Sequence, residues 1–464
     1  MNIRIVFVFL CCLGYSYAQD NQEQFLSKAE AIALTLENNL GIVIATNNVT
    51  IAENNKSILN SGFLPTITGN AGAEYQRDDS TFEFPGQFLS DPDTGEPLLD
   101  EGGNRIPRPD ASLDKAEAQR YNAGLTMNYT LFDGFGRLYD FKRLKEEFNL
   151  SALQSRETIE TTILQLFTIY FEAARISENI TVLQETYANT KDRLQRATYS
   201  FDYGQVNKLE VLNAEVDLVN DSINLMNERQ LLANTTRDLN IVLNKDLENR
   251  FQVDTVVSFI NTLQLETFLD QGMQNNVRML RAKTDLTIND YSLKSAKSVF
   301  LPTLGLNGSY GWNLNQNAPG AFFPGVTEDN RRNFRLGATL TWNLFDGGAG
   351  VTQLKNARIL LDSQDALQKQ ISQEVSRDIA NAKGDYENRL KVFQLQQQNV
   401  LTATDNYNRS NERYKMGQIT SVELRQAQIN LLNAQTNRNI AKYSAKLSEL
   451  QLLQLTGQLL NIEL

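Results

Sequence analysis

Carboxylates are the one plentiful reactive group in this sequence: Asp and Glu number 55 against 44 Lys and Arg, histidine is absent, and the only cysteines are Cys11 and Cys12. Without histidine the commonest general base and transition-metal ligand is missing, and both thiols sit where the chain looks set to be cut. Paired carboxylates could hydrolyse a glycoside, but no pair is singled out by spacing, and long coiled hairpins build no cleft for a sugar chain. Asp91-Pro92-Asp93-Thr94-Gly95 starts like a calcium loop, yet the third ligand position and the closing glutamate are missing. Gly347-Gly348-Ala349-Gly350 has the glycines of a phosphate cradle without the Gly-Lys-Ser/Thr that would hold a nucleotide. A net charge of −11 opposes nucleic-acid binding. No catalytic residue, cofactor or metal is therefore expected, and the chemistry to look for is that of a passage or a scaffold.

The elements that would build either begin after residue 18. Met1 to Ala18 carry Arg4, an apolar run from Ile5 to Leu13 and a Ser16-Tyr17-Ala18 end, the layout of a secretory signal. Leu10 stands before Cys11 where a lipoprotein signal needs a small residue. Cleavage leaves no cysteine and hence no disulfide or zinc-thiolate framework. Beyond the signal no run of about 18 apolar residues occurs, so any membrane passage must use strands.

The rest is written twice. Gly62-Phe63-Leu64-Pro65-Thr66 is matched by Val299-Phe300-Leu301-Pro302-Thr303, an offset of 237 residues. Leu131-Phe132-Asp133-Gly134 returns as Leu344-Phe345-Asp346-Gly347, and Tyr203-Gly204-Gln205-Val206 as Met416-Gly417-Gln418-Ile419, both offset by 213. Three landmarks in one order define a two-fold internal repeat. The surplus of 24 residues falls in a segment rich in proline and acid, expected as a solvated loop over 77–118; its counterpart, 315–332, is shorter.

Around each loop the pattern has period two. Tyr121, Ala123, Leu125, Met127, Tyr129 and Leu131 oppose Asn122, Gly124, Thr126, Asn128 and Thr130. Phe334, Leu336, Ala338, Leu340, Trp342 and Leu344 repeat this, and Leu304 to Leu314 follow suit. Strands are expected over 66–76, 120–132, 303–314 and 333–345. Alternation over roughly ten residues with terminal aromatics is the signature of an outer-membrane barrel, although soluble sheets alternate as well. Four strands close no barrel, and open edges are not tolerated in lipid, so other copies must supply the rest. Two copies would give a nearly filled barrel and three a 12-stranded one, which favours three for a duct without fixing the number.

Helices are expected over 23–61, 136–246, 266–299, 348–415 and 420–456. Ile159, Leu166, Ala173, Ile180, Tyr187 and Leu194 recur every seven residues, and Leu209, Leu212, Val216, Val219, Ile223 and Met226 alternate threes and fours. Helices of this length reach on the order of 100 Å and turn at Gly204 and Gly417, making two hairpins. The division is a signal, 1–18, a first repeat, 19–248, an equatorial linker, 249–265, and a second repeat, 266–464. A secreted structural coiled coil without channel activity is the competing reading, and the strands argue against it. A passive porin would not need the helices.

Signal, duplicated halves, two strands per half and hairpins turning at glycine together resemble the TolC-like family of outer-membrane efflux proteins over essentially the whole mature chain. The resemblance implies a mixed α and β membrane protein: a homotrimer with a 12-stranded antiparallel β-barrel, four strands per protomer, set in outer-membrane lipid. It also implies a long periplasmic α-helical coiled-coil barrel, served by a periplasmic adaptor (a membrane fusion protein) and an inner-membrane transporter of RND or ABC type. Pro65 and Pro302 suit the turn from helix to strand, and Asp133-Gly134 and Asp346-Gly347 the return to helix, as a capping carboxylate and a flexible step. Relatives carry acids six and nine positions after the tip glycine. Here these positions hold Glu423 and uncharged Gln426, with Glu210 six after Gly204, so Glu423 is the candidate for a tunnel constriction. The basic residue that relatives have two after the glycine is Val206 or Ile419 here, which leaves a salt-bridged lock without its usual cation. Gly204, Gln205, Gly417 and Gln418 are candidates for adaptor docking.

Overall fold

The structure is a computed structural model describing residues 24–317 and 328–461. The expected signal, 1–18, and the middle of the expected loop 315–332 lie outside the described residues. In chain order the elements are β1 (Gln24–Leu26), α1 (Lys28–Asn38), α2 (Leu40–Asn55), β2 (Thr66–Phe82), β3 (Ala111–Asp133), α3 (Gly136–Asp202), α4 (Lys208–Leu243), β4 (Phe251–Val253), α5 (Thr262–Asn275), α6 (Val277–Ala296), β5 (Thr303–Asn317), β6 (Glu328–Thr341), α7 (Ala349–Lys415) and α8 (Ser421–Leu455). Short 3-10 turns cover Ile58–Asn60, Lys297–Phe300 and Leu459–Asn461. The described residues form two compact units, one of residues 24–52, 148–286 and 364–461 and one of residues 53–147, 287–317 and 328–363.

The first unit is helical around an aromatic core. Phe167, Tyr170 and Phe171 of α3 are fully buried with Leu26, Leu239, Leu243, Leu450 and Leu453. Phe167 and Phe171 stack at 5.5 Å. The Tyr170 hydroxyl donates to Leu26 O at 2.6 Å and accepts from Asp254 N at 2.8 Å, tying together the ends of the parallel pair β1 and β4. Burial pushes this phenol up to about 12. A second buried polar knot fixes the segment before α5. Lys446 Nζ donates to Ser258 O at 2.8 Å and to Glu449, whose other oxygen accepts from Ile260 N at 3.0 Å and the Tyr386 hydroxyl at 3.1 Å.

Helix α4 carries two heptad stripes. Val211, Ala214, Asp221 and Leu225 are buried, and Val211 and Ala214 cluster with Ala197 and Leu194 of α3. The stripe read from the sequence, Leu209 to Met226, is the exposed one.

The second unit is built on a four-stranded antiparallel sheet in the order β2-β3-β5-β6. Its strands outrun the expected membrane-length segments. β2 and β3 continue pairing as far as Phe82 opposite Ala111, past a bulge between Asp78 and Ser80, so the two ends of the expected loop 77–118 are ladder. A ladder of backbone hydrogen bonds needs no apolar alternation and continues where the sequence pattern has faded. β6 runs the other way, starting at Glu328 and stopping at Thr341 instead of 345. Its partner β5 begins at Thr303, opposite Thr341, so residues 342–345 have no strand beside them among the described residues.

Two expected helices are broken. The one over 23–61 opens with β1 and is interrupted at Asn39, and the one over 266–299 is interrupted at Asn276 and ends in a 3-10 turn. Both asparagines do one job. Asn39 Oδ1 accepts from Gly41 N at 2.9 Å and its amide donates to Val242 O at 2.9 Å. Asn276 Oδ1 accepts from Met279 N at 3.1 Å and its amide donates to Leu455 O at 2.8 Å. Each starts the next helix and closes the last turn of α4 or α8.

Candidate functional site

At the hairpin tips the long helices end in matching Schellman turns. Gly204 N donates to Phe201 O at 2.9 Å and Gln205 N to Ser200 O at 2.8 Å; Gly417 and Gln418 do the same to Tyr414 and Arg413, at 2.9 Å each. Both glycines hold φ near +70°, where a side chain would be strained. Asn207 then caps α4 by accepting from Glu210 N at 3.3 Å. Thr420 caps α8 in a full capping box, accepting from Glu423 N at 3.3 Å while Glu423 Oε2 accepts from Thr420 N at 2.8 Å and from its hydroxyl at 2.9 Å. The Thr420 amide, then its hydroxyl, holds the exposed Glu423 carboxyl below its ordinary value. Gln426 donates to Asn430 Oδ1 at 2.9 Å.

Just behind the tips the structure gathers residues the sequence reading missed. Asp221 of α4 accepts two parallel hydrogen bonds from Arg425 of α8, at 2.8 and 2.9 Å, and one from the Thr190 hydroxyl of α3 at 2.7 Å. Gln428 Nε2 joins by donating to Thr190 Oγ1 at 3.0 Å and Thr186 O at 3.1 Å. Beside them Arg193 pairs with Asp217 and donates to Ser421 O at 3.4 Å. Asp221 is 1% and Arg193 4% exposed, so these two charges are buried where the two hairpins bind each other, while their partners Arg425 and Asp217 are partly exposed. Val206 and Ile419 supply no cation at the tips, but Arg193 and Arg425 supply two a few turns away. Only the 3.6-residue alignment of 193 with Arg425's partners across α3, α4 and α8 could have hinted at this.

In the sheet unit, Pro65 and Pro302 stand immediately before β2 and β5. Asp133 Oδ2 accepts from Arg137 N at 3.0 Å and Arg137 Nε at 2.9 Å. Asp346 accepts from Gly348 N at 2.9 Å and Gly350 N at 2.6 Å. The two carboxylates thus satisfy the first amides of α3 and α7. Gly134 and Gly347 both hold φ near +70°. The loop residue Asp91 accepts from Asp93 N at 2.8 Å, forming a turn, and no cluster of metal-ligating side chains occurs among the described residues.

Register puts the apolar residues of all four strands on one face. Ile67, Met127, Gly308 and Leu336 lie in one row, and Gly69, Leu125, Tyr310 and Phe334 in the next. The other face is small and polar, with rows such as Thr68, Thr126, Ser309 and Arg335. Leu336, Phe334 and Leu340 are exposed, and β2 and β6 end the sheet with open edges. Among the described residues the chain thus combines a sheet that is apolar on one face, polar on the other and open at both edges with two long helical hairpins.

The comparisons with known proteins agree. The chain matches the outer membrane efflux protein family over residues 31–245 and 268–458 and belongs to that family. It is 22% identical to Outer membrane protein TolC of Vibrio cholerae over 310 residues, covering 66% of this chain and 70% of that protein. The outer membrane channel CmeC of Campylobacter jejuni superposes with a TM-score of 0.70 at 19% identity, covering 99% of this chain and 94% of that one. The open-state MtrE channel of Neisseria gonorrhoeae gives 0.67 at 17%, covering 93% and 89%. The protein is an outer-membrane channel component of a multi-component efflux system, and the reading as a structural coiled coil is not favoured. Channels of this family form trimers, lie in the outer membrane with a periplasmic extension, and work with adaptors and inner-membrane transporters.

Proposed function

We propose that three copies of this chain join edge to edge into a 12-stranded barrel that spans the outer membrane and continues into the periplasm as an α-helical barrel, passively conducting cargo outwards. The observation that carries this reading is the sheet. Its apolar face is exposed and the edges β2 and β6 are unpaired, which lipid does not tolerate unless further copies close the ring. Three copies leave a water-filled lumen where two would give about eight strands and a filled one. The exposed stripe of α4 from Leu209 to Met226 supports a further helix packing there. Loops 77–118 and 315–332 then face outside, and 249–265 lies at the equator of the helical part. The tips, Gly204, Gln205, Gly417 and Gln418, receive a periplasmic adaptor coupled to an RND or ABC transporter.

Three Glu423 carboxylates near the axis, each held ionised by its capping bonds, disfavour one another's charge and attract cations; Gln426 adds none. Glu423→Gln keeps the capping acceptor and removes the charge. Single-channel recording should show weaker cation preference, and an unchanged preference would remove Glu423 from the constriction. Cell fractionation with mass analysis in detergent tests the assembly: an outer-membrane trimer is expected, and a soluble monomer or dimer overturns it.

A further inference from the structure

The pairs α3–α4 and α7–α8 carry matching grooves, and in the second half the chain fills its own. Lys442 Nζ donates to Thr255 O and Lys446 Nζ to Ser258 O, each at 2.8 Å. Glu449 accepts from Ile260 N at 3.0 Å, and Phe393 packs on Phe259 with ring centres 5.8 Å apart. Residues 255–260 thus lie lengthwise on α8, held mainly by their backbone. The 213-residue offset carries Phe393, Lys442, Lys446 and Glu449 to Ile180, Arg229, Ala233 and Thr236. Those four line an open cavity of about 540 Å³, walled on its remaining side by the linker from Leu247 to Phe251.

The wall of this cavity is basic in an acidic chain. It holds Arg229, Arg237 and Arg250 against one acid, Glu248. Glu248 lies 3.3 Å from Arg237, and among the described residues Arg229 and Arg250 have no carboxylate partner. Two unpaired guanidinium groups beside apolar Ile180 and Phe251 call for an occupant that brings carboxylates. The repeat identifies one. Phe259-Ile260-Asn261, with Asn261 capping α5, match Phe25-Leu26-Ser27, with Ser27 capping α1, at an offset of 234. This offset is shorter than 237 because α5 has 14 residues and α1 has 11. β1 is therefore the counterpart of residues 258–260, and residues 21–23 are the counterpart of 255–257. Connectivity agrees, since Gln24 pairs with Phe251, which itself lines the cavity.

We propose that residues 19–23, Gln-Asp-Asn-Gln-Glu, dock in this cavity as residues 255–257 dock on α8. Asn21 O takes the Arg229 donor as Thr255 O takes that of Lys442, and one further step of the β1–β4 ladder sets Glu23 beside Arg250. Where Lys446 holds Ser258 O, Ala233 has no donor, and β1 is held by pairing with β4 instead. The segment carries two acids, Asp20 and Glu23, and no base, which answers the two unpaired arginines. Five residues reach roughly 17 Å, so the whole segment stays close to the cavity beside which Gln24 is fixed. The site is complete within one copy of the chain and stands apart from the assembly proposed above.

The test is the labelling rate of one thiol in the cavity wall, Ala233→Cys, in full-length protein whose Cys11 and Cys12 are changed to Ala. With the natural segment a charged maleimide should react about tenfold more slowly than when residues 19–23 are replaced by a neutral glycine-serine run. Asp20→Asn with Glu23→Gln should also speed labelling, because it removes the charges that meet Arg229 and Arg250. Adding the free peptide of residues 19–23 should slow the replaced version again, which a general loosening of the fold would not allow. Gln184→Cys, on the opposite wall, gives the same readout should Ala233→Cys fail to fold. Fast labelling with and without the segment overturns the proposal. Slow labelling in both overturns it as well, since a neighbouring copy or another partner then covers the cavity.

Discussion

Asp221 holds Arg425 by two hydrogen bonds and Thr190 by a third, and removing its carboxylate leaves the mostly buried guanidinium Asp217 at 3.6 Å as its nearest carboxylate and the Gln428 side-chain oxygen at 3.2 Å. Breaking one partner of a buried pair costs about 3–5 kcal/mol. Asp221→Ala should therefore lower the thermal midpoint of the helical signal markedly, measured by circular dichroism in detergent, whereas Glu423→Gln at the exposed cap leaves it nearly unchanged. Glu160 makes a different prediction. Burial raises its carboxyl above the ordinary 4.5, and Arg156, 2.8 Å away, pulls it back only in part. The folded state then holds this proton to higher pH than the unfolded chain does. The contribution of Glu160 is full at pH below 4.5 and declines as pH rises through the raised value. Glu160→Gln should melt progressively higher relative to the parent as pH rises across that window, and parallel pH curves would refute the assignment. At this scale the sequence revealed local roles, such as the Asp133 and Asp346 carboxylates beside their glycines, because capping acts over four residues. The Arg425–Asp221 pair was hidden because it joins residues 204 apart, brought together only by the packing of three helices.

Helix breaks at Asn39 and Asn276 are invisible to hydrophobic periodicity, which runs on across a single extended residue. The signal was present in another form: Asn38-Asn39 recurs as Asn275-Asn276 at the same 237-residue offset as the Phe-Leu-Pro-Thr marks. Each asparagine caps a helix and satisfies a carbonyl at the end of another, so truncation loses a cap and orphans a backbone oxygen. Asn276 is 2% exposed and Asn39 is only half-buried. Asn276→Ala should cost about 1–3 kcal/mol, and Asn39→Ala less because water can replace its bond to Val242. Chemical denaturation of the two variants ranks them, and equal costs would mean that the caps alone matter. Strand ends were misread for a related reason. Apolar alternation marks only the part of a strand that faces lipid or core, while the ladder follows wherever a partner strand exists, beyond 76 for β2 and not beyond 341 for β6.

At the scale of the whole molecule, the reading that four alternating strands need company rests on lipid punishing an open edge more than water does. What periodicity could not give was the register, and the register decides which substitutions matter. Leu336 sits in the row of Ile67, Met127 and Gly308 on the apolar face, whereas Ser309, next along β5 from that row's Gly308, sits with Arg335 and Thr126 on the polar face. A cation on the lipid face of a barrel costs about 2–4 kcal/mol at mid-membrane, while a lumen charge costs little and changes selectivity. Leu336→Arg should sharply reduce assembled trimer in the outer membrane, scored by heat-modifiable mobility. Ser309→Asp should assemble at parental levels and shift ion preference towards cations in planar-bilayer recordings. If the effects were exchanged, with Ser309→Asp blocking assembly and Leu336→Arg altering conduction, the barrel would be inside out. If neither substitution mattered, the sheet would lie in water, because only a solvent of low dielectric constant makes the two faces unequal.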